Sequence, residues 1–393
     1  MYYVLSFVVL IIIQWVLFMY FMNSDIGKSI ATSVNTREVA KKIWTRRYCA
    51  LICAEMILFS GFRAFDVGVD TSVYLNALVY YSNLPHNEIL SAKLVYPFDF
   101  EIGYFFFTKI CAYLNFNRTM FLLVVAALTY IPIFIFIEKY SKIPLISILT
   151  YFAFGLFAYS LGIFRQMIAL SLCLCAVPYI KKKKLIVYLL ICGFAGLFHL
   201  TALMMIPFYF LRYVDLNKRR TIYFSSVLAI ELFCFIFARD IILVILKFFG
   251  NYAGYIGGKY DVQGGTYLNL VYLNVLLFLG MFAVTSHVDK EDTLSVKGIA
   301  IACIIQSCSY AMGIMGRLVC YFSVYEMLLI PLIVENLFNE KTVDDIALLP
   351  RVKEHGLRKK AMLEIAAVFM LFLLVFWVTH NDAVLQDYRF IWS

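Results

Sequence analysis

The chain has 393 residues, 63% of them hydrophobic and 15% charged, with a formal net charge of +9 and a mean hydropathy of +0.85. A soluble globular domain runs at about 45–50% apolar and about 25% charged, so this composition excludes an ordinary soluble enzyme, a disordered chain, a collagen and a small disulfide scaffold. The basic excess lies in short tracts between apolar runs rather than on a basic domain with interleaved aromatics. Nucleic acid is therefore not the expected partner.

Read in chain order, run 1–22 opens the sequence with no basic residue before it and no small-residue cleavage site, and is expected to be a retained first span. Further apolar runs occupy 48–62, 119–137, 143–163, 166–180, 185–198, 201–211 and 221–238. Four more occupy 268–288, 298–315, 318–337 and 361–378. At about 20 residues per crossing, several are short enough to be tilted or broken. The pattern predicts an all-α polytopic membrane protein, a single integral domain over 1–393 with about 12 transmembrane helices. Run 102–114 is too short for a span and follows Pro97, Asp99 and Glu101. It reads as an amphipathic helix on the outer surface.

Basic residues orient the runs. With the N-terminus outside, the inner loops take Arg37, Lys41, Lys42, Arg46 and Arg47, then Lys139 and Lys142, then the lysine tract 181–184. If 102–114 crossed, that tract would face outward. Cytoplasmic loops are then 23–47 and 339–360, and the long outer loops are 63–118 and 239–267. The second outer loop is rich in Gly and Tyr, and its rings can stack on flat ligands such as sugars. The ten cysteines show no paired CxxC spacing, and those in the apolar runs read as small buried hydrophobes.

Four polar residues stand at outer ends of predicted spans. Arg63 follows the second, Arg165 opens the fifth, Arg317 opens the eleventh, and His199 sits between two short ones. Arginine is unfavourable at membrane depth, and three guanidiniums at one level would suit a diphosphate, whose oxygens match planar bidentate donors. A single arginine at a span end also serves as an interface anchor, and a lone histidine at a helix break also serves structure. Asp66, Asp70, Asp99 and Glu101 either solubilise the loop or hold the arginines. Glu55, Glu231, Glu326 and Glu364 lie within apolar runs, and no partner for Glu326 is evident from spacing along its own helix.

The ordered set of motifs resembles the EpsG family of bacterial polysaccharide polymerases, Wzy-like in role. Those motifs are Phe62 and Arg63 with Gly68, Asp70 and Tyr74; Glu101 to Tyr104 heading an apolar helix; Arg165 with Gln166; Phe198 and His199 running to Pro207; Arg317 to Phe322; and the aromatic segment Tyr388, Arg389, Phe390, Ile391, Trp392. The resemblance covers essentially the whole chain and implies a GT-C-like membrane glycosyltransferase. Such an enzyme joins oligosaccharide repeat units carried on undecaprenyl diphosphate, on the outer side of the bacterial plasma (inner) membrane. It implies lipid-linked donor and acceptor as partners, membrane lipid around the chain, chain-length regulator and flippase proteins as associates, and no cofactor. Arg63, Arg165, Arg317, Gln166, Tyr74 and Tyr104 become candidates for binding diphosphate or sugar. His199 becomes the candidate base, with Asp70 and Glu101 competing for that role. Asp66 and Asp70 do not form a metal dyad, and no metal is expected. An O-antigen ligase, a lipid-linked oligosaccharide transporter or flippase, and an acyltransferase remain as other readings.

Overall fold

The computed structural model describes residues 1–23, 34–95, 98, 100–216, 220–248, 267–283, 293–313, 315–336 and 356–393. Asp99, part of the stretches 23–47 and 339–360 expected as cytoplasmic loops, and the Gly- and Tyr-rich part of stretch 239–267 expected as an outer loop lie outside the described residues. Helices make up the fold, and among the described residues the one piece of β-pairing is an isolated antiparallel bridge between Arg63 and Phe390.

Four helices are long and apolar enough to cross a membrane: 2–20 within α1 (Tyr2–Asn23), Arg118–Tyr140, Phe164–Lys181 and 363–381 within the helix Gly356–Asn381. Two bent pairs bring the number to six, Pro144–Ala153 with Leu156–Gly162 and Met315–Ser323 with Glu326–Asn336. The fold is therefore that of an all-helical, multi-pass membrane protein. The remaining predicted runs coincide with helices too short or too charged to qualify as spans. Leu185–Gly196 has 12 residues, and Val34–Gly61 carries Arg46, Arg47 and Glu55 near its apolar part. Run 143–163 breaks at Gly155, whose φ of 78° lies in the left-handed region.

The chain forms two compact units, residues 1–206 with 365–393, and residues 207–364. In the first, α2 (Val34–Gly61), α3 (Thr71–Ser82), α4 (His86–Ile89), α5 (Ile102–Tyr113) and α6 (Arg118–Tyr140) precede the bent pair α7 (Pro144–Ala153) and α8 (Leu156–Gly162). Then come α9 (Phe164–Lys181), α10 (Leu185–Gly196), the start of a tighter helix Leu200–Tyr213, the part of α17 (Gly356–Asn381) from residue 365 on, and α18 (Ala383–Gln386). Helix α5 coincides with run 102–114, and its residues Tyr104, Phe105, Thr108, Lys109, Cys111 and Ala112 are buried. α3 and α4 fall where the sequence reads as loop.

Polar satisfaction explains how this unit tolerates its interior hydroxyls. Asn117 caps α6 by accepting from the Met120 N–H at 2.8 Å. Pro132 inside α6 has no N–H for the Leu128 carbonyl, and Ser171 of α9 donates to that oxygen at 3.0 Å instead. The Tyr130 hydroxyl joins Ser60 and Ser160 at 2.8 Å each, tying α2, α6 and α8 together. Around these, Phe121, Leu122, Val125, Phe164 and Ile168 pack with Tyr74, Tyr81 and Tyr104 in one buried cluster. Half-buried Glu55 accepts from Gln14 Nε2 at 2.6 Å.

The second unit contains α11 (Arg220–Ile236), α12 (Ala238–Phe248), α13 (Tyr267–Ala283), α14 (Thr293–Ser307), α15 (Met315–Ser323) and α16 (Glu326–Asn336). Two carboxylates on its apolar helices, Glu231 and Glu326, have partners on α13. Asn274 donates to Glu231 at 2.9 Å, and the Tyr272 hydroxyl donates to Glu326 at 3.3 Å. The partner of Glu326 thus lies 54 positions away in sequence, on another helix. Arg220 and Asn336 bond the Met281 and Ala283 carbonyls at 3.3 and 3.1 Å, closing the end of α13.

Candidate functional site

Three helix starts in the first unit converge. Glu101 occupies the N-cap place of α5, Arg165 is the second residue of α9, and His199 lies between α10 and the helix beginning at Leu200. Backbone contact sets their spacing. The Gly103 N–H donates to the Leu197 carbonyl at 2.8 Å, and a Cβ at Gly103 would lie 2.7 Å from that same oxygen. Only a glycine lets the two segments approach this closely.

The Glu101 carboxylate bridges the other two side chains. Oε2 accepts from Arg165 Nη1 at 2.5 Å, and Oε1 meets His199 Nδ1 at 2.6 Å. The Leu200 N–H also donates to Oε1, at 3.4 Å. All three side chains keep a partly open face, with 24% exposure for Arg165, 19% for Glu101 and 16% for His199. Burial by itself would push the Glu101 pKa up. The hydrogen bond and charge of His199, joined by the charge of Arg165, outweigh it and hold the carboxyl at about 2. An ionised carboxylate only accepts hydrogen bonds, so Nδ1 carries the proton, and in the neutral imidazole Nε2 is left with its lone pair.

Aromatic rings wall the arginine. Its guanidinium lies 5.1 Å from the centroid of Phe100 and 6.0 Å from that of Tyr74. Burial raises the Tyr74 phenol, with Arg165 pulling the other way and Asp70 adding to the rise. Tyr104 sits edge-on to Tyr74 at 5.3 Å. Its hydroxyl and Arg165 Nε are buried with no hydrogen-bond partner among the described residues. Gln166 is buried beside Arg165 on α9.

Six of the nine residues singled out from sequence gather here or border the gathering: Glu101, Arg165, His199, Tyr74, Tyr104 and Gln166. Half-buried Asp70 precedes α3 and its charge adds to the rise of the Tyr74 phenol. Arg63, expected as an anion ligand at the outer mouth, is 2% exposed and donates to the backbone carbonyls of Val67, Ser60 and Leu161. Its guanidinium presents no face to a ligand. Arg317 is in the second unit, on α15. Phe100 was not singled out, although its place next to Glu101 was a signal. Among the described residues no three His, Cys, Asp or Glu side chains group as metal ligands.

The fold and this cluster define a multi-pass helical membrane protein with a preformed arginine–carboxylate–histidine site. A sequence model of the EpsG family matches residues 46–388. The chain belongs to the EpsG family. Membership points to a polysaccharide-polymerase-type, glycosyltransferase-like activity. No curated protein and no solved structure matches the chain.

Proposed function

We propose that the protein joins undecaprenyl-diphosphate-linked oligosaccharide repeat units into exopolysaccharide, capsule or O-antigen at the outer face of the bacterial inner membrane, through a GT-C-like arrangement of about 12 spans. The observation that carries this reading is the Arg165–Glu101–His199 cluster, with a base and a phosphate-compatible donor held by one carboxylate. The acceptor sugar hydroxyl attacks the anomeric carbon of the donor. Its proton passes to His199 Nε2 as the new C–O bond forms. The bond from that carbon to the diphosphate oxygen breaks, and the electron pair leaves with undecaprenyl diphosphate. Arg165 offsets the charge building on that oxygen.

Glu101 is a positioning residue in this scheme. It fixes the imidazole tautomer, and a carboxyl held at about 2 is too weak a base to compete with His199. Tyr74 and Tyr104 form the wall behind the guanidinium. Lipid-linked donor and acceptor are the partners, within membrane lipid and alongside chain-length regulator and flippase proteins, and the transfer uses no metal or other cofactor. The test is purified protein supplied with a lipid-diphosphate oligosaccharide. Products should grow in whole repeat units with release of undecaprenyl diphosphate, and Arg165→Ala should abolish growth at normal protein levels. Wild-type polymer from Arg165→Ala overturns the assignment. A single transfer to a different lipid acceptor identifies a ligase.

A further inference from the structure

The aromatic segment 388–392 has no part in the chemistry above, yet it is pinned to the end of α2 at several points. The Ala64 N–H donates to the Arg389 carbonyl at 2.8 Å and the Ile391 N–H to the Phe62 carbonyl at 3.0 Å, making the bridge around Arg63. The Tyr388 hydroxyl donates to the Phe59 carbonyl, and the two rings stack at 4.6 Å. Arg389 pairs with Asp66. The clamped backbone is the one that carries Arg63.

Arg63 in turn holds the joint that presents Arg165. Its Nη2 donates to the Leu161 carbonyl at 2.9 Å, and its guanidinium lies 5.2 Å from the centre of the Phe164 ring. Leu161 lies in the last turn of α8 and Phe164 starts α9, so both contacts fall on the turn immediately before Arg165. Thr71 donates to the same Leu161 oxygen at 2.9 Å. A Cβ at Gly68 would come within 2.1 Å of it, so loop 67–71 lies directly against the joint.

We infer that segment 388–392 and Arg63 are positioning elements of the active site, setting the place of Arg165 through the joint between α8 and α9. This rests on reading Glu101, Arg165 and His199 as the site. The route is continuous: paired backbone at 388–392, a buried guanidinium, one carbonyl shared by Arg63 and Thr71, and then Arg165 in the turn that follows. A buried arginine donating to three carbonyls from a rigid fork is a stiff connector, and lysine cannot reproduce it.

The test uses the full chain with Arg63→Lys, Ile391→Pro and the milder Tyr388→Phe, which removes only the hydroxyl bond to Phe59. Proline at 391 deletes the N–H that reaches Phe62. Turnover per folded molecule should fall roughly 10- to 100-fold in Arg63→Lys and Ile391→Pro, the effect of a displacement near 1 Å, with little change in KM. Combining them should do no more than the worse single change, since both act through one joint. Hydrogen exchange supplies a readout independent of chemistry: amides of 159–169 should exchange faster in both variants while those of α6 stay protected. Unchanged exchange at 159–169 overturns the inference and leaves the site reading standing. Faster exchange with wild-type turnover overturns it too, provided His199→Gln is inactive in the same assay. If His199→Gln is also active, the site reading itself has failed and the inference falls with it. Should Ile391→Pro fail to insert, Arg63→Lys and Tyr388→Phe decide the matter by the same two measurements.

Discussion

Replacing Glu101 by glutamine separates a carboxylate that orients a base from one that only staples two helices. The amide keeps the shape but loses the charge shared by Arg165 at 2.5 Å and His199 at 2.6 Å. Loss of a hydrogen bond to a charged group costs about 1.5–3 kcal/mol, or roughly 10- to 150-fold in rate at about 1.36 kcal/mol per decade. A second effect is larger. Glutamine can turn its NH2 toward Nδ1, which moves the imidazole proton to Nε2 and removes the base. A carboxylate-to-amide change behind a catalytic histidine lowers kcat about 10⁴-fold in the serine-protease triad. The expected loss therefore lies between roughly 10²- and 10⁴-fold. The assay is polymer length and undecaprenyl diphosphate release per mole of folded protein in detergent. More than about half of wild-type turnover from Glu101→Gln, against that expected loss, would refute the dyad.

His199→Ala and His199→Gln should both lose roughly 10²–10⁴-fold in turnover while lipid-linked donor still binds; if Gln restores most activity, the ring serves structure alone. Gly103→Ala drives a methyl to within 2.7 Å of the Leu197 oxygen and should abolish turnover, whereas Gly193→Ala meets no heavy atom within 4 Å and should be neutral or stabilising by up to about 1 kcal/mol; equal activities would remove the close approach from the mechanism. Because the Glu101 pKa is depressed from 4.5 to about 2, its contribution to stability is complete above pH 4.5 and is lost as the pH falls toward 2. Thermal melts across that window should show a wild-type decline that Glu101→Gln lacks, and parallel declines would assign the acid sensitivity elsewhere.

Apolar periodicity made the helices legible, because each long hydrophobic run has to satisfy its backbone internally. It also located helix α5, whose start is marked by Glu101 and whose length is too small for a crossing. Breaks were harder to read: 143–163 is a single run by composition, and only the conformation of Gly155 divides it. Helices α3 and α4 were hidden inside a stretch that charge alone marks as loop. For the site, the residue types were readable, but the pairing was not. Glu101 lies 64 positions from Arg165 and 98 from His199, and four acidic residues were equally placed to meet an arginine. Arg63 shows the limit most clearly. An arginine just beyond a helix end can face solvent or fold back on carbonyls, and the choice depends on segment 388–392, more than 300 positions away.

The hydrogen bond from Gly103 to Leu197 joins points two residues after Glu101 and two residues before His199. Main chain therefore sets the distance between carboxylate and base, and the side chains mounted on it do not have to attract each other to meet. Mount and cargo are separable. A lineage keeping a glycine at 103 could exchange the groups at 101 and 199 for others of similar reach and inherit the same separation, acquiring a new acceptor or a new leaving group without first rebuilding the scaffold. The methyl-free position at 103, rather than either ionisable side chain, is where such a change of chemistry would meet its steepest barrier.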